Sequence, residues 1–220
     1  MRQRFISKKA NVTMKPKGSL IFGVGKLDVH PVFVGGKKIR AFRVWHGMLK
    51  RCYGKGSSYR PSYDGCVVDE EWHLFSAFKK FYDENYLPGF ELDKDLLFPG
   101  NKVYSGKTCI FIPQALNSFV TSGDAMRGDY PIGVCLKKGS TKFQAGIKVN
   151  GKNKHLGMFH DPYLAHLAWF NEKMSLARGY KSLCDQLHPF LYSGLIKKIE
   201  SLKVSQQACQ NQNAPLRGKY

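Results

Sequence analysis

Residues 142–149, KFQAGIKV, alternate without a break: Phe143, Ala145, Ile147 and Val149 fall on one face of an extended chain, Lys142, Gln144, Gly146 and Lys148 on the other. That period predicts a half-buried strand. IGVCLKK (132–138) and HLGMFH (155–160) read as two further short strands, separated from it by KGST and NGKNK turns. Asp161-Pro162 then opens an amphipathic helix running to about Gly179, a good residue to follow a helix end. Leu164, Ala165, Ala168 and Trp169 on that helix suit the apolar face of the sheet. The other face is left open, and Lys137, Lys138, Lys152 and Lys154 extend it along the neighbouring strands and turns. Three strands backed by one helix, with an open Lys/Gln face, can enter a DNA major groove. There lysines contact phosphate or guanine and Gln144 reads adenine.

The charge balance points the same way. Lys and Arg number 35 against 16 Asp and Glu, a formal net of +19, and such self-repulsion calls for a polyanionic partner. Residues 1–50 hold twelve basic residues and one acid, Asp28, and residues 130–160 hold six lysines and no acid. Between them, residues 64–95 carry nine acids, among them Asp93 and Asp95. A hydrophobic share of 43% excludes wholesale disorder, and no run approaches the roughly 18 apolar residues of a membrane helix. No basic amphipathic helix with an apolar anchor face argues for a membrane surface. The six cysteines include no C-x-x-C pair and no zinc-type Cys/His spacing, so they are expected as reduced, mostly buried thiols. With no signal-peptide pattern, the expected compartment is the cytoplasm.

The remaining segments predict an α+β chain. A basic arm (1–19) precedes a domain over 20–120, in which HPVFV and IRAFRVW flank Gly35-Gly36-Lys37-Lys38 as a hairpin. Trp45, Met48, Leu49 and Cys52 give one helical face, and Asp69 caps a helix to about Asn85 bearing Trp72, Phe75, Phe78, Phe81 and Tyr82. FELDKDLLF and KTCIFIP read as short strands around PGNKVYSG, followed by a helical start, PQALNSF: strand, loop, strand, helix. Residues 121–131 read as a linker to the sheet-and-helix domain (132–180). A C-terminal helix, about 185–203 within 181–204, and a polar, disordered tail (205–220) follow.

Two family resemblances overlay this reading. Gly133-Val134, KFQAGI, the NGK turn, LGMF and the helix P-x-x-A-x-x-A-W resemble the AP2 DNA-binding domain of plant ethylene-response regulators, which also occurs in phage and mobile endonucleases. Where the plant domains read bases with Arg and Trp, this chain has mostly Lys and Gln. WHGMLKRCY…YRPSYDG…EEWHLFSAFKKFY…FELDKDLL…VYSGKTCIFIPQALN, over about 45–119, resembles the N-terminal half of phage HNH-type (ββα-metal) endonucleases that carry AP2 domains. The two resemblances follow each other in the order those endonucleases have.

What the resemblance implies is a phage-type endonuclease or nickase that hydrolyses phosphodiester bonds of double-stranded DNA in the host cytoplasm. An HNH site needs an acid or His at the end of its first strand and an Asn or His on its helix. Asp93 and Asn117, twenty-four residues apart, take those places as ligands of one Mg²⁺ or Mn²⁺, hard cations suited to oxygen donors. Lys94 stands where these nucleases have the His that acts as general base. The base is then sought among Tyr104, Tyr53, Tyr59 and Tyr63, with His46 and His73 in the same domain. Thr108 stands where relatives often have Asn. The alternatives are a non-catalytic DNA-binding or regulatory protein on the same scaffold and a ribosomal-type RNA binder.

Overall fold

In the computed structural model, residues 19–121 and 130–206 are described. All but the last residue of the expected arm, most of the expected linker and most of the expected tail fall outside them. The chain is mixed α+β and divides into two units that part between Glu84 and Asn85.

The first unit opens with a hairpin of two-residue strands, β1 (Phe33–Val34) and β2 (Lys37–Lys38), turned by Gly35 and Gly36 at positive φ. IRAFRVW is not the returning strand: it begins α1 (Arg40–Tyr53). The reason is visible in the spacing, because Ala41, Phe42, Trp45, Met48 and Leu49 make one helical stripe and all are buried. After β3 (Val67–Val68), Asp69 accepts from Glu71 N–H and caps a 3₁₀ turn, Glu70–His73. The expected single helix is therefore split at Leu74, with α2 spanning Phe75–Asn85. Asp28 holds the start of α2, accepting from the amide and hydroxyl of Ser76. Trp45 donates its indole N–H to Trp72 O at 2.7 Å, and Phe42 meets Phe75 edge-on, so α1 and the Trp72 turn share an aromatic core.

The second unit begins with the expected strand–loop–strand–helix. Strand β4 (Phe90–Asp93) is followed by β5 (Val103–Tyr104), β6 (Ile110–Pro113) and α3 (Gln114–Val120). β4 and β6 pair antiparallel from Phe90↔Pro113 to Asp93↔Ile110. A second sheet, β7 (Val134–Leu136), β8 (Phe143–Val149) and β9 (Lys152–Phe159), is antiparallel in the order β7-β8-β9. Helix α4 (Pro162–Arg178), capped by Asp161, packs against it. The expected single C-terminal helix is two, α5 (Lys181–Leu187) and α6 (Leu191–Glu200). The break is at Pro189, which forces the preceding His188 into extended backbone. Gly133 is dictated by contact: φ is +84°, and a Cβ there would lie 2.0 Å from Trp169 Cγ.

The packing departs from the expected division at 121–131. Leu96, Ile112, Leu116 and Val120 share one core with Ile147 and Trp169 of the sheet domain and with Leu191, Leu195 and Ile199 of α6. Each segment is too small to bury its apolar face alone, and together they make one interior.

Lys173 of α4 donates to Phe119 O in the last turn of α3 and lies 3.7 Å over the Phe119 ring. Burial pushes its ammonium down to about 8. Its pKa is lower folded than unfolded, so between about 8 and 10.5 the unfolded state holds more protons and stability rises with pH. Chemical denaturation at pH 7.5, 9 and 10 is expected to show that rise. Lys173→Met should flatten it.

Candidate nucleic-acid interface and the Asp93 turn

The β8–β9 hairpin decides which side chains the open sheet face carries. Asn150 and Gly151 both have positive φ (50° and 79°), which makes a two-residue type I′ turn rather than the five-residue NGKNK loop expected. Val149 therefore pairs with Lys152 and Ile147 with Lys154. Directly opposed residues share a face, so Lys152 and Lys154 belong to the helix-backed side. Lys154 confirms this by its ion pair with Glu172 of α4, 2.9 Å long. These two expected DNA contacts are thus displaced, because the shorter turn shifts the register.

The other expected residues stay on the open side. Lys137 N–H donates to Lys142 O, placing that pair at one end, with Lys138 in the adjoining turn. Cys135, Gln144 and Met158 form a row across the three strands. Gly146 pairs with His155, and Lys148 with Asn153. A bulge between Ala145 and Gly146, with Leu156 as the extra β9 residue, lets β9 keep His155 outward while Leu156 packs on the core. The face therefore carries Lys137 and Lys142 at one end and Lys148 at the other, with amide, imidazole, thiol and thioether groups between. Asn153, His155 and Met158 were missed because reading 150–154 as a turn hid the alternation of β9.

The second candidate centre is the turn after β4. Asp93 Oδ1 accepts from the amides of Asp95 (2.8 Å) and Leu96 (2.7 Å), an Asx turn that fixes the carboxylate at the strand end. Its Oδ2 has no hydrogen-bond partner among the described residues. Burial raises the pKa of Asp93 and the charge of Asp95 adds to the rise, against the two amides and the Lys94 ammonium. Asn117 lies one turn into α3, half-buried and not hydrogen-bonded to Asp93.

Lys94 and Tyr104, both expected at the reaction centre, are buried at 8% and 3% exposure. The Lys94 ammonium pairs with Asp95 and donates to Asn101 O at 2.9 Å, while the Asn101 amide returns a bond to Lys94 O at 2.8 Å. Asn101 also exchanges bonds with the Val103 backbone, and Lys94 lies over the Tyr104 ring at 5.8 Å. These two side chains hold the 94–104 loop in shape. Thr108, hydrogen-bonded to Val103 O and Ser105, supports the same loop. Burial pushes the neighbouring Cys109 thiol up to about 12, so it is no nucleophile. Tyr53, Tyr59, Tyr63, His46 and His73 belong to the first unit, where the Tyr53 hydroxyl accepts from Val68 N–H.

A carboxylate oxygen and a side-chain amide are hard donors of the kind Mg²⁺ takes together with water and phosphate. Among the described residues no group of three or more His, Cys, Asp or Glu side chains gathers to form an all-protein cage. No described helix is long and apolar enough to cross a membrane. Compared with known proteins, the chain matches no family model, no curated protein and no solved structure.

Proposed function

We propose that this protein binds double-stranded DNA through the open face of the β7–β8–β9 sheet. The observation that carries the reading is the composition of that face. Lys137, Lys142 and Lys148 surround Gln144, Asn153 and His155, and residues 130–160 contain no acid. Ordinary surfaces mix their signs. Here the lysines take phosphates, and the amides and imidazole face base edges. The resemblance to AP2 domains supports the same use of the sheet.

The register supplies an internal control for the test. Fluorescence anisotropy on a labelled duplex is expected to show the double variant Lys142→Ala/Lys148→Ala losing on the order of tenfold or more in affinity, with a salt slope shallower by about 2. Lys152→Ala/Lys154→Ala, on the helix-backed side, should lose much less. Gln144→Ala should change sequence preference more than affinity. Equal losses from both lysine pairs would sink the assignment of the face.

A second reading, phosphodiester hydrolysis at the Asp93 turn, is favoured by the unpartnered Oδ2 of a desolvated carboxylate at the end of β4. The strand–loop–strand–helix order and the resemblance to HNH-type nucleases support it. Bound there, Mg²⁺ or Mn²⁺ would polarise the scissile phosphate and stabilise the leaving oxygen. Asp93 and Asn117 would hold the ion, and Lys94 would fix the loop that presents Asp93. Supercoiled plasmid incubated with Mg²⁺ or Mn²⁺, beside an EDTA control, tests this directly: binding without nicking leaves a DNA-binding protein only.

A further inference from the structure

The longest acid-free basic stretch in the described chain is not in the sheet domain. Residues 29–63 hold eight Lys and Arg (Lys37, Lys38, Arg40, Arg43, Lys50, Arg51, Lys55 and Arg60) and no Asp or Glu. Helix α1 forms the middle of it. Its inner stripe is Ala41, Phe42, Trp45, Met48 and Leu49, all buried. At about 100° per residue, Arg43, Gly47, Lys50 and Arg51 fall together on the opposite side. Arg43 and Lys50 are exposed, and neither has an acidic partner among the described residues. Arg51 is held over the Tyr63 ring at 5.6 Å, a stacked posture that keeps a guanidinium ordered at a surface.

Gly47 is the telling residue. Glycine in a helix interior is costly, and packing does not require this one. A Cβ built on it would meet only Arg51 Nη1, at 3.6 Å. Its effect is on the outer surface: it leaves the α1 backbone bare between three cations, a shallow notch that a sugar–phosphate chain can enter. No acid lies within α1 or in the 54–63 loop that follows.

We propose that the Arg43–Gly47–Lys50–Arg51 stripe of α1 is a second nucleic-acid contact, gripping the phosphodiester backbone of duplex DNA independently of sequence. The proposal rests on the reading of the chain as a DNA-binding protein. It adds a positioning contact on the first unit, distinct from the sheet that faces base edges.

The test uses the full chain and a fluorescein-labelled 40-base-pair duplex, titrated at several KCl concentrations. Replacing Arg43, Lys50 and Arg51 together by Gln should weaken binding roughly tenfold to a hundredfold at about 0.1 M salt. It should also make the log–log salt slope shallower by about 2 to 3, for both specific and random sequences. Gly47→Glu should weaken binding while leaving the circular-dichroism helix signal and melting temperature at or above wild type, which separates contact from folding. Gly47→Ala, which puts one methyl group into the notch, should weaken binding measurably but less than Gly47→Glu. If the triple variant keeps wild-type affinity and slope while the Lys142→Ala/Lys148→Ala variant loses both, the stripe is merely solvated and the proposal falls, with the sheet reading intact. If the wild-type chain itself shows no salt-dependent duplex binding, both readings fall. A triple variant that loses affinity for a structured RNA hairpin but not for the duplex would also overturn the assignment to DNA.

Discussion

Asp93→Asn is expected to leave the second unit as stable as wild type at pH 7, or more so, and, on the proposed nuclease reading, to reduce Mg²⁺-dependent plasmid cleavage about a hundredfold or more. Both halves follow from the Asx turn. The amide oxygen of Asn accepts the same two bonds from Asp95 and Leu96 N–H, so the turn survives the substitution. What disappears is a carboxylate whose burial raises its pKa above the usual value. A folded-state pKa raised in this way stabilises the fold only while the group is protonated. That contribution is present below about pH 3.8 and is lost as pH rises through the folded value. At neutral pH the wild-type charge is therefore a cost, and Asn removes it together with the ligand for a cation. Asp93→Ala, by contrast, gives up the two turn bonds as well and should lose about 1 to 3 kcal/mol. Thermal melts at pH 4 and 7, run beside nicking assays of both variants, check the two halves separately. Cleavage that survives in Asp93→Asn would place any hydrolytic centre elsewhere.

Gly194→Ala should damage the fold more than a methyl group added at any other described glycine. Gly194 lies in α6 where the Asp93 turn runs against the helix, and a Cβ there would sit 1.6 Å from Leu96 O and 2.8 Å from its carbonyl carbon. Both obstacles are main-chain atoms, so no rotamer change relieves the overlap. Either α6 leaves the core it shares through Leu191, Leu195 and Ile199, or the 93–97 turn moves. Overpacking of this kind costs about 3 kcal/mol or more, which for a unit of this size lowers the melting temperature by roughly 10 °C. The same shift carries the Asp93 carboxylate with it. If Asp93 holds a cation as proposed, a variant that still folds is expected to lose Mn²⁺ affinity, measured by titration. A melting temperature within a degree of wild type would show that the helix and turn do not touch as described.

The elements that could be read from the sequence were those whose period is long or whose caps are explicit. The eight-residue alternation of KFQAGIKV became β8 with its predicted faces, and Asp161-Pro162 opened α4 as read. FELD, IFIP and QALNSFV appeared in the predicted order because short β-rich runs bounded by Pro and Gly leave few alternatives. The failures have equally local causes. In IRAFRVW the aromatic and β-branched residues favoured a strand, and the competing helical stripe appears only when Met48 and Leu49 are counted with them. NGKNK reads as a loop by composition, yet two positive-φ residues suffice to reverse the chain, and the three beyond them join β9. Pro189 was in plain sight inside the expected last helix, where the apolar spacing around it carried too much weight. At the Asp93 turn the sequence placed Asp93 at a strand end and Asn117 on a helix, as observed. It offered no sign that Lys94 and Tyr104 would be buried, because that depends on Asn101 closing the loop from seven residues away. Gly194 could not have been singled out at all, since the carbonyl it accommodates lies almost a hundred residues earlier.

The two ring nitrogens of His166 have a further effect. This side chain is fully buried in α4; its Nδ1 donates to Ile132 O (3.0 Å) and its Nε2 accepts from Val204 N–H (3.1 Å). Those partners lie two residues before β7 and four residues after α6. The stretch from 132 to 204 is therefore a closed circuit, its entrance and exit clasped by one imidazole. Anything that tugs on the chain beyond Val204 loads the same ring that anchors the first strand of the sheet. Whatever docks or is fused after α6 is thereby wired, through one neutral histidine, to the edge of the β7–β8–β9 sheet.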